Sequence, residues 1–487
     1  MTSPETSLPI SDKLDSRHKV ILTVILVSTF VVFLNETALG VALPQIMTQL
    51  GIAPSTGQWL NTAYMLTMAV IIPTTGFLLQ RFSTKRMYIA AMLFFTSGTL
   101  VAALSQDFLF LLLGRILQAG GTAIMLPLLM TTVMVIVPEQ LRGRINGTIS
   151  LVLSAAPALG PAFSGIVLSF LDWRWLFWIM LPIGIVTLII GAINISNSQE
   201  PRRIPIDVLS VVFSAFAFSG LIYGLSAFAD AARGASSLSP WIPLAFGIIF
   251  FVLFIVRQTT LQKTDSALLD LRTFRSRAFT EAMFLLAIGM LILFGAGILI
   301  PIYMQNVLQV EPLVTGLMML PGGLAMGLLG PVVGRIYDNR GPRVLLIPGA
   351  IVVSLAFWSM VTFTENTSVW MVFASYTLLS LGLAFLFTPL FALSLSSVPP
   401  QLYSYASATI GTLQQLAGAA GTALFITVMT LISVNLAEGG ASEVTALAGG
   451  VQAAFLIGAI LSVGLIVIAF MLKRPANAQE RAEELTH

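Results

Sequence analysis

Residues 20–43 read VILTVILVSTFVVFLNETALGVAL, a 24-residue run whose only ionisable side chain is Glu36. A helix of this length crosses the ~30 Å hydrocarbon core of a bilayer. Asn35 and Glu36 interrupt the apolar run about two-thirds of the way along it. A carboxyl group at that depth is costly, so its presence indicates a functional role.

Apolar runs of similar length recur from end to end. Of the 487 residues, 57% are hydrophobic and 9% are charged, against roughly 25% charged in a soluble domain. The pattern predicts an all-α membrane protein with fourteen transmembrane helices. The predicted helices cover residues 20–43, 59–79, 87–104, 108–137, 145–171, 175–195, 208–228, 241–256, 278–304, 314–336, 344–363, 369–396, 404–434 and 448–472.

The basic residues predict the orientation. With fourteen helices, 21 of the 24 Lys and Arg fall on the side that carries both termini. Positively charged loops face the cytoplasm, so both termini are expected on the cytoplasmic side. The protein itself is expected in the cell (inner) membrane. Arg174 and Arg233 lie on the opposite side, and Arg115 lies inside the fourth helix. Arg115 and Glu36 are each about 10 Å below the outer boundary, so the two intramembrane charges share a depth.

The composition argues against several classes of protein. The chain has no Cys, and its two histidines are His18 and His487, which leaves no thiolate or His-based metal site and no Ser-His triad in the membrane. The phosphate-binding G-x-x-x-x-G-K-[ST] motif is absent, so ATP does not drive the chain directly. We expect no enzyme activity, no metal, no cofactor and no nucleic-acid partner. A channel is less favoured, because the sequence lacks a carbonyl filter motif or a ring of charges.

Two pairs of segments indicate an internal duplication. GFLLQRFSTK (76–85) and GRIYDNRGPR (334–343) are 258 residues apart, and PEQLRGRINGT (138–148) and PPQLYSYASAT (399–409) are 261 apart. Two nearly equal offsets predict two six-helix halves in a parallel repeat. The expected organisation is an N-terminal tail (1–19), a first half (20–196), two extra central helices with a cytoplasmic loop (197–277), a second half (278–472) and a C-terminal tail (473–487).

Four motifs stand out along the first half of the chain: LNETALGVALP (34–44), GRILQAGGTA (114–123), APALGPAFSG (156–165) and WRWLFWIMLPIG (173–184). Together they resemble a known family, the 14-helix drug:proton antiporters of the major facilitator superfamily. The first motif is most like the lincomycin-efflux type of multidrug exporter. The resemblance implies the major facilitator fold and a role in antibiotic resistance by proton-coupled multidrug efflux.

The sequence departs from the family pattern in two places. In the first helix, Asn35 stands where an Asp is usual, the carboxylate is the next residue, Glu36, and Gly40 replaces the usual Asn. In the first cytoplasmic loop, Gln80 and Ser83 replace the usual Asp and Gly. The resemblance implies a cytoplasmic gate in which Asp338 and an Arg hold the tenth and eleventh helices; the alternative is a charged turn that sets the topology. The gate residues are Arg81, Gly334, Asp338, Gly341 and Arg343.

Glu36 and Arg115 are the predicted proton-coupling pair. Burial favours the neutral carboxyl group and a nearby Arg favours the carboxylate, so Glu36 can exchange a proton when Arg115 moves or a cationic cargo competes. We therefore predict that Glu36 carries the proton and that Arg115 modulates it. The alternative is a static ion pair that fixes the first helix to the fourth.

Polar stripes on the second and fourth helices predict a cavity for cargo, meaning the transported compound; the alternative is helix-to-helix hydrogen bonding. The predicted cavity residues are Asn35, Asn61, Tyr64, Met68, Gln118, Thr122, Met125 and Gln415. Gly160, Pro161 and Gly165 form the antiporter motif of the fifth helix and a predicted hinge; the alternative is a simple kink.

The expected function is secondary active efflux of amphiphilic drugs in exchange for protons, by a protein that acts as a monomer in the lipid bilayer. Proton-coupled export of an endogenous metabolite or lipid is the alternative, because the scaffold does not specify the cargo.

Overall fold

The structure is a computed structural model that describes residues 15–52, 54–138, 141–195, 207–232, 239–264 and 266–471. The described residues form fourteen long α-helices and no β-strand, which confirms the predicted all-α fold. The helices are α1 (Ser16–Leu50), α2 (Pro54–Arg81), α3 (Thr84–Leu104), α4 (Phe108–Ile136), α5 (Arg142–Phe170), α6 (Arg174–Asn194), α7 (Val208–Ala232), α8 (Trp241–Leu261), α9 (Arg277–Ile302), α10 (Pro312–Arg340), α11 (Arg343–Met360), α12 (Val369–Ser396), α13 (Tyr403–Glu438) and α14 (Glu443–Met471).

The helices have the length and composition that a membrane requires. Within the described residues, thirteen of them, all except α5, are long and apolar enough to span a bilayer, and α5 is itself 29 residues long. Several are longer than predicted, because they continue through polar residues beyond the apolar run. α1 continues to Leu50 and ends at Gly51, whose positive φ of 61° favours glycine.

Helices α1–α6 pack together as one group and α9–α14 as another. The largest apolar cluster lies mainly in α9–α14, where Phe357, Phe387 and Phe455 are buried. A second cluster lies in α1–α6 and includes Tyr88 and Phe95. Each group therefore has its own buried core.

The two groups meet along two seams, α5 against α10 and α2 against α13. The internal duplication relates α2 to α10 and α5 to α13, so one seam is the symmetry counterpart of the other. At the first seam the backbones approach closely: a Cβ on Gly147 would lie 2.1 Å from the carbonyl oxygen of Gly330. We call the end of the bundle that carries the α2–α3, α4–α5 and α10–α11 connections the basic end.

The two additional helices, central in the sequence, lie at the periphery of the bundle. α7 packs on α2 and α13, and α8 packs mainly on α7. Asp207 accepts two hydrogen bonds from Arg257, from Nε at 3.0 Å and Nη2 at 2.9 Å. After α8, the hydroxyl of Tyr405 donates to the carbonyl oxygen of Ala267 at 3.3 Å. The α7–α8 hairpin and the segment after it therefore lie along the α2–α13 seam.

Candidate functional site

Arg115, on α4, is 1% exposed and is held by neutral side chains. Its Nη1 donates to Oε1 of Gln118 at 3.1 Å and to Oδ1 of Asn35 at 3.4 Å. Its Cζ lies 4.0 Å from the ring centroid of Tyr64. Cation–π contacts contribute about 2 kcal/mol when desolvated. Helices α1, α2 and α4 thus each contribute one neutral partner to this buried cation.

Glu36 follows Asn35 on α1 and is half-buried. Among the described residues it forms no ion pair with Arg115, although the two charges are close enough to attract each other. Oε2 of Glu36 and Nε of Arg115 are both buried and have no hydrogen-bond partner in the described part of the chain. The structure therefore does not contain the static ion pair considered from the sequence. Each of the two charged side chains therefore has one buried atom without a hydrogen-bond partner among the described residues.

The antiporter motif of α5 packs against α1 beside Glu36. A Cβ on Gly160 would clash with Oγ1 of Thr37, the residue after Glu36, and would lie 3.1 Å from the backbone nitrogen of Ala38, so a larger residue here would force Thr37 to move. A Cβ on Gly165 would meet nothing within 4 Å. The side chain of Pro161 is outside the described residues. Gly160 therefore brings α5 close to α1, while the hinge role of the motif stays a prediction.

A cavity lies between α1, α2 and α4 on one side and α13 on the other. It is small in this arrangement: about 280 Å³ of space lies between its walls, and this figure includes open solvent. Its walls are mostly apolar, with one hydroxyl and two amide side chains. The lining residues are Phe33, Met68, Ile72, Thr122, Ala123, Leu126, Pro127, Gly411, Gln414 and Gln415.

Three of the predicted cavity residues, Met68, Thr122 and Gln415, line this cavity. Gln414 and Gly411 also line it, although the sequence did not indicate them as cavity residues. α13 carries no pronounced apolar stripe that would have indicated which face meets the other group of helices. Because Gln414 and Gln415 are adjacent, their side chains diverge by about 100° around the helix, and both still reach the cavity.

The other predicted cavity residues lie elsewhere. Met125 is fully buried in the apolar cluster with Tyr88 and Phe95, because the three-residue step from Thr122 turns it about 60° around α4. Asn61 is half-buried on α2, outside the lining. Three predicted cavity residues contact Arg115 or Thr122 instead: Asn35, Tyr64 and Gln118.

At the basic end, Asp338 joins the two groups of helices. Its Oδ2 accepts a hydrogen bond from the backbone N–H of Arg144 at 3.0 Å. This N–H lies in the first turn of α5, where a carboxylate is favoured by the helix dipole. The sequence predicts that Asp338 and an Arg hold α10 to α11, and this stays a prediction; the contact with Arg144 is a further one that crosses from α10 to α5. It crosses because the start of α5 packs against α10.

The remaining predicted gate residues lie at or near the ends of α2 and α10. Gly341 has a φ of 77° and ends α10, and Arg343 Nη2 donates to the carbonyl oxygen of Phe470 at 3.3 Å. Gly334 is buried within α10. Arg81 ends α2, with its Cζ 5.8 Å from the ring centroid of Phe82.

Gln80 occupies the position that the duplication relates to Asp338. Its Nε2 donates to the carbonyl oxygen of Gln401 at 3.0 Å and to Oγ of Ser404 at 3.1 Å, at the start of α13. Further into the bundle, Oγ1 of Thr131 donates to Oγ of Ser407 at 3.3 Å. Hydrogen bonds between the two groups therefore close the basic end along both seams.

Two packed groups of six helices with a cavity between them are the architecture of a membrane transporter. The family model of the Major Facilitator Superfamily matches residues 25–422. The chain belongs to that family, which is a family of transporters and not of enzymes.

Several relatives carry drug-resistance names. The lincomycin resistance protein LmrB of Bacillus subtilis is 35% identical, over 96% of this chain and 98% of its own. The multidrug resistance protein B homolog of Mycobacterium tuberculosis is 25% identical, over 81% of this chain and 73% of its own. Among solved structures, the human organic anion transporter MFSD10 has the same fold, with a TM-score of 0.65 and 15% identity, over 93% of this chain and 99% of that one.

Proposed function

We propose that this protein exports amphiphilic drugs in exchange for protons, with Glu36 as the proton carrier and Arg115 as its modulator. The observation that carries the proposal is the arrangement of the two charges. Arg115 is held by Asn35, Gln118 and Tyr64, so it does not need Glu36 to remain buried as a cation. Glu36 is therefore free to bind a proton in one state and to approach Arg115 in another.

The exchange requires alternating access. Residues 20–196 and 278–472 are the proposed units that rock against each other, and the contacts of Asp338, Gln80 and Thr131 break when the basic end opens. By the positive-inside rule, the basic end faces the cytoplasm and both termini lie there. The present arrangement is then the one closed toward the cytoplasm. The surrounding membrane is the cell membrane.

The cavity chemistry suits amphiphilic compounds. Apolar side chains such as Phe33 and Met68 provide adaptable contacts, and the hydroxyl of Thr122 with the amides of Gln414 and Gln415 provides hydrogen bonds. The names of the relatives, lincomycin resistance protein and multidrug resistance protein B homolog, support drugs as the cargo class. The membrane potential supplies about 2.3 kcal/mol per charge per 100 mV, so inward proton movement can drive export.

The test is transport by purified protein in proteoliposomes with an imposed pH gradient. The cargo panel contains cationic, neutral and anionic drugs, lincomycin among them. We compare the wild type with Glu36→Gln, and with Glu311→Gln as a matched control because Glu311 is exposed outside the membrane-spanning part. The proposal expects gradient-driven transport in the wild type and the control, and drug binding without gradient-driven transport in Glu36→Gln. Undiminished transport by Glu36→Gln contradicts it.

A further inference from the structure

Tyr64 connects the cavity wall with Arg115. It lies on α2 and is 1% exposed. The face of its ring lies on the guanidinium of Arg115, and its hydroxyl donates to Oγ1 of Thr122 at 2.7 Å. Thr122 lines the cavity, whereas Tyr64 is not part of the lining. One side chain thus contacts both the charged group and a residue that cargo would touch.

These contacts form a closed ring of four residues. Oγ1 of Thr122 donates to the backbone carbonyl oxygen of Gln118 at 3.0 Å, and Oε1 of Gln118 accepts from Arg115. Arg115 in turn packs on Tyr64, which donates to Thr122. A displacement of any member therefore acts on the position of Arg115.

We propose that Tyr64 is the positioning residue that couples cargo in the cavity to Arg115, and through Arg115 to the proton on Glu36. This inference rests on the proposed function and adds the means by which cargo and proton exclude each other. It assigns Tyr64 no direct contact with the cargo.

The coupling follows from competition for Thr122. A cargo donor that hydrogen-bonds Thr122 replaces the hydroxyl of Tyr64, and a cargo that presses on Met68, one turn along α2, moves the same segment. Once the ring shifts, Arg115 loses a contact and turns toward Glu36, since its Nε has no partner among the described residues. The approaching cation stabilises the carboxylate, and the proton of Glu36 passes to water.

The neighbouring helices supply no competing charge at this depth. Tyr64 faces Glu36 from α1 and Arg115 from α4. Of the other helices packed on α1 and α2, α7 and α13 carry acidic residues only near their ends, at 230 and 438, and no basic residue. The helices α3, α5 and α6 carry charged residues only in their first turns, at Lys85, Arg86, Arg142, Arg144 and Arg174. The pH dependence of cargo binding is therefore assigned to Glu36, with Arg115 and Tyr64 controlling it.

The experiment measures cargo affinity at a mildly acidic and a mildly alkaline pH, with the purified full chain and lincomycin or the panel drug that the wild type transports best. The variants are Tyr64→Phe, which keeps the ring and removes the hydroxyl, and Thr122→Val, which keeps the shape and removes the acceptor. The double variant is also measured. Tyr88→Phe is the matched control, because the buried hydroxyl of Tyr88 bonds to Thr187 O in another part of the same helix group.

In the wild type we expect affinity to differ between the two pH values by a factor in the range of about 5–150, typical of coupled sites. Tyr64→Phe should reduce this factor to less than about 2, and Thr122→Val should reduce it to the same extent. The double variant should reduce the factor no further, because both substitutions remove the same hydrogen bond. Tyr88→Phe should leave the factor unchanged.

Two results separate the inference from the proposed function. If the wild type shows no pH-dependent affinity and no gradient-driven transport, the proposed function fails and this inference fails with it. If the cargo affinity of the wild type depends on pH and Tyr64→Phe shows the same ratio of affinities between the two pH values, the inference alone is overturned. A Tyr64→Phe variant that loses affinity equally at both pH values also overturns it, because that result describes a merely structural residue.

Discussion

Asn35, and not the acidic residue beside it, contacts Arg115: the distance from Arg115 Nη1 to Asn35 Oδ1 is 3.4 Å. The contact joins α1 to α4 without a second charge. It also occupies Arg115 with a neutral partner, which leaves the carboxyl group of Glu36 unpaired at Oε2. The adjacent pair thus separates a structural contact, made by Asn35, from the proton binding proposed for Glu36.

Asn35→Ala removes this acceptor and should have a small effect. The bond is long, and hydrogen bonds inside membrane proteins average about 0.6 kcal/mol, so we expect a loss of stability of no more than about 1 kcal/mol. Gradient-driven exchange should persist because Glu36 is intact. Thermal unfolding in detergent and the proteoliposome assay check the two effects. Abolished exchange in a stably folded Asn35→Ala variant would assign proton coupling to Asn35 as well.

A disulfide between positions 131 and 407 should lock the basic end. The chain has no cysteine, so Thr131→Cys with Ser407→Cys introduces the only thiols. The hydroxyl oxygens of the native residues are 3.3 Å apart, and the longer C–S bonds bring two sulfurs nearer to the ~2.05 Å of a disulfide. Oxidation should stop transport, and a reductant should restore it.

The two single-cysteine variants are the controls for the disulfide. They should transport under oxidising and reducing conditions alike. Normal turnover by fully cross-linked protein would mean that this contact does not open during the cycle.

Gly147→Ala should separate α5 from α10. The added Cβ would meet the carbonyl oxygen of Gly330 at 2.1 Å, and backbone atoms cannot yield as a flexible side chain does. Overpacking of this kind costs about 1–3 kcal/mol. We expect a weaker closed state and slower exchange in proteoliposomes. Gly464→Ala is the control, because its Cβ would meet nothing within 4 Å; equal rates for the two variants would contradict the close approach.

Asp207→Asn should give a pH-dependent change in stability. Hydrogen bonds from the guanidinium of Arg257 lower the pKa of Asp207 to about 2. A lowered pKa stabilises the fold above the unfolded value of about 4, and this stabilisation is lost as the pH falls toward 2. Because the pair is partly exposed, solvent screens it and its contribution to stability is small.

Thermal unfolding of the wild type and Asp207→Asn at several pH values checks this effect. The difference in Tm should be largest above about pH 4 and should vanish near pH 2. A difference that does not change with pH would mean that the Arg257 contact is not formed in solution.

The sequence predicted the helices better than their contacts. Long apolar runs separated by basic loops predict fourteen helices because a membrane requires both features. The ends were less predictable, since α1 continues through polar residues such as Gln45 and Gln49 to Leu50. Apolarity marks the depth of the hydrocarbon, whereas backbone hydrogen bonds decide where a helix ends.

The candidate site was predictable by residue type and only partly by position, and its role stays a prediction. Glu36 and Arg115 were evident because a charge inside an apolar run is expensive. Which neighbour contacts Arg115 depends on the rotation of α1, and Asn35 and Glu36 differ by about 100°. Gln414 and the contact of Asp338 with α5 were missed for a related reason, since both depend on how the two groups of helices meet.

The central claim is that cargo displaces a proton from Glu36, and proton release on cargo binding tests it most directly. Purified protein in weakly buffered solution is mixed with saturating cargo while a pH indicator dye records released protons. The account predicts proton release by the wild type and by Glu311→Gln, and none by Glu36→Gln, although all three bind the cargo. Equal proton release by Glu36→Gln and the wild type would contradict it.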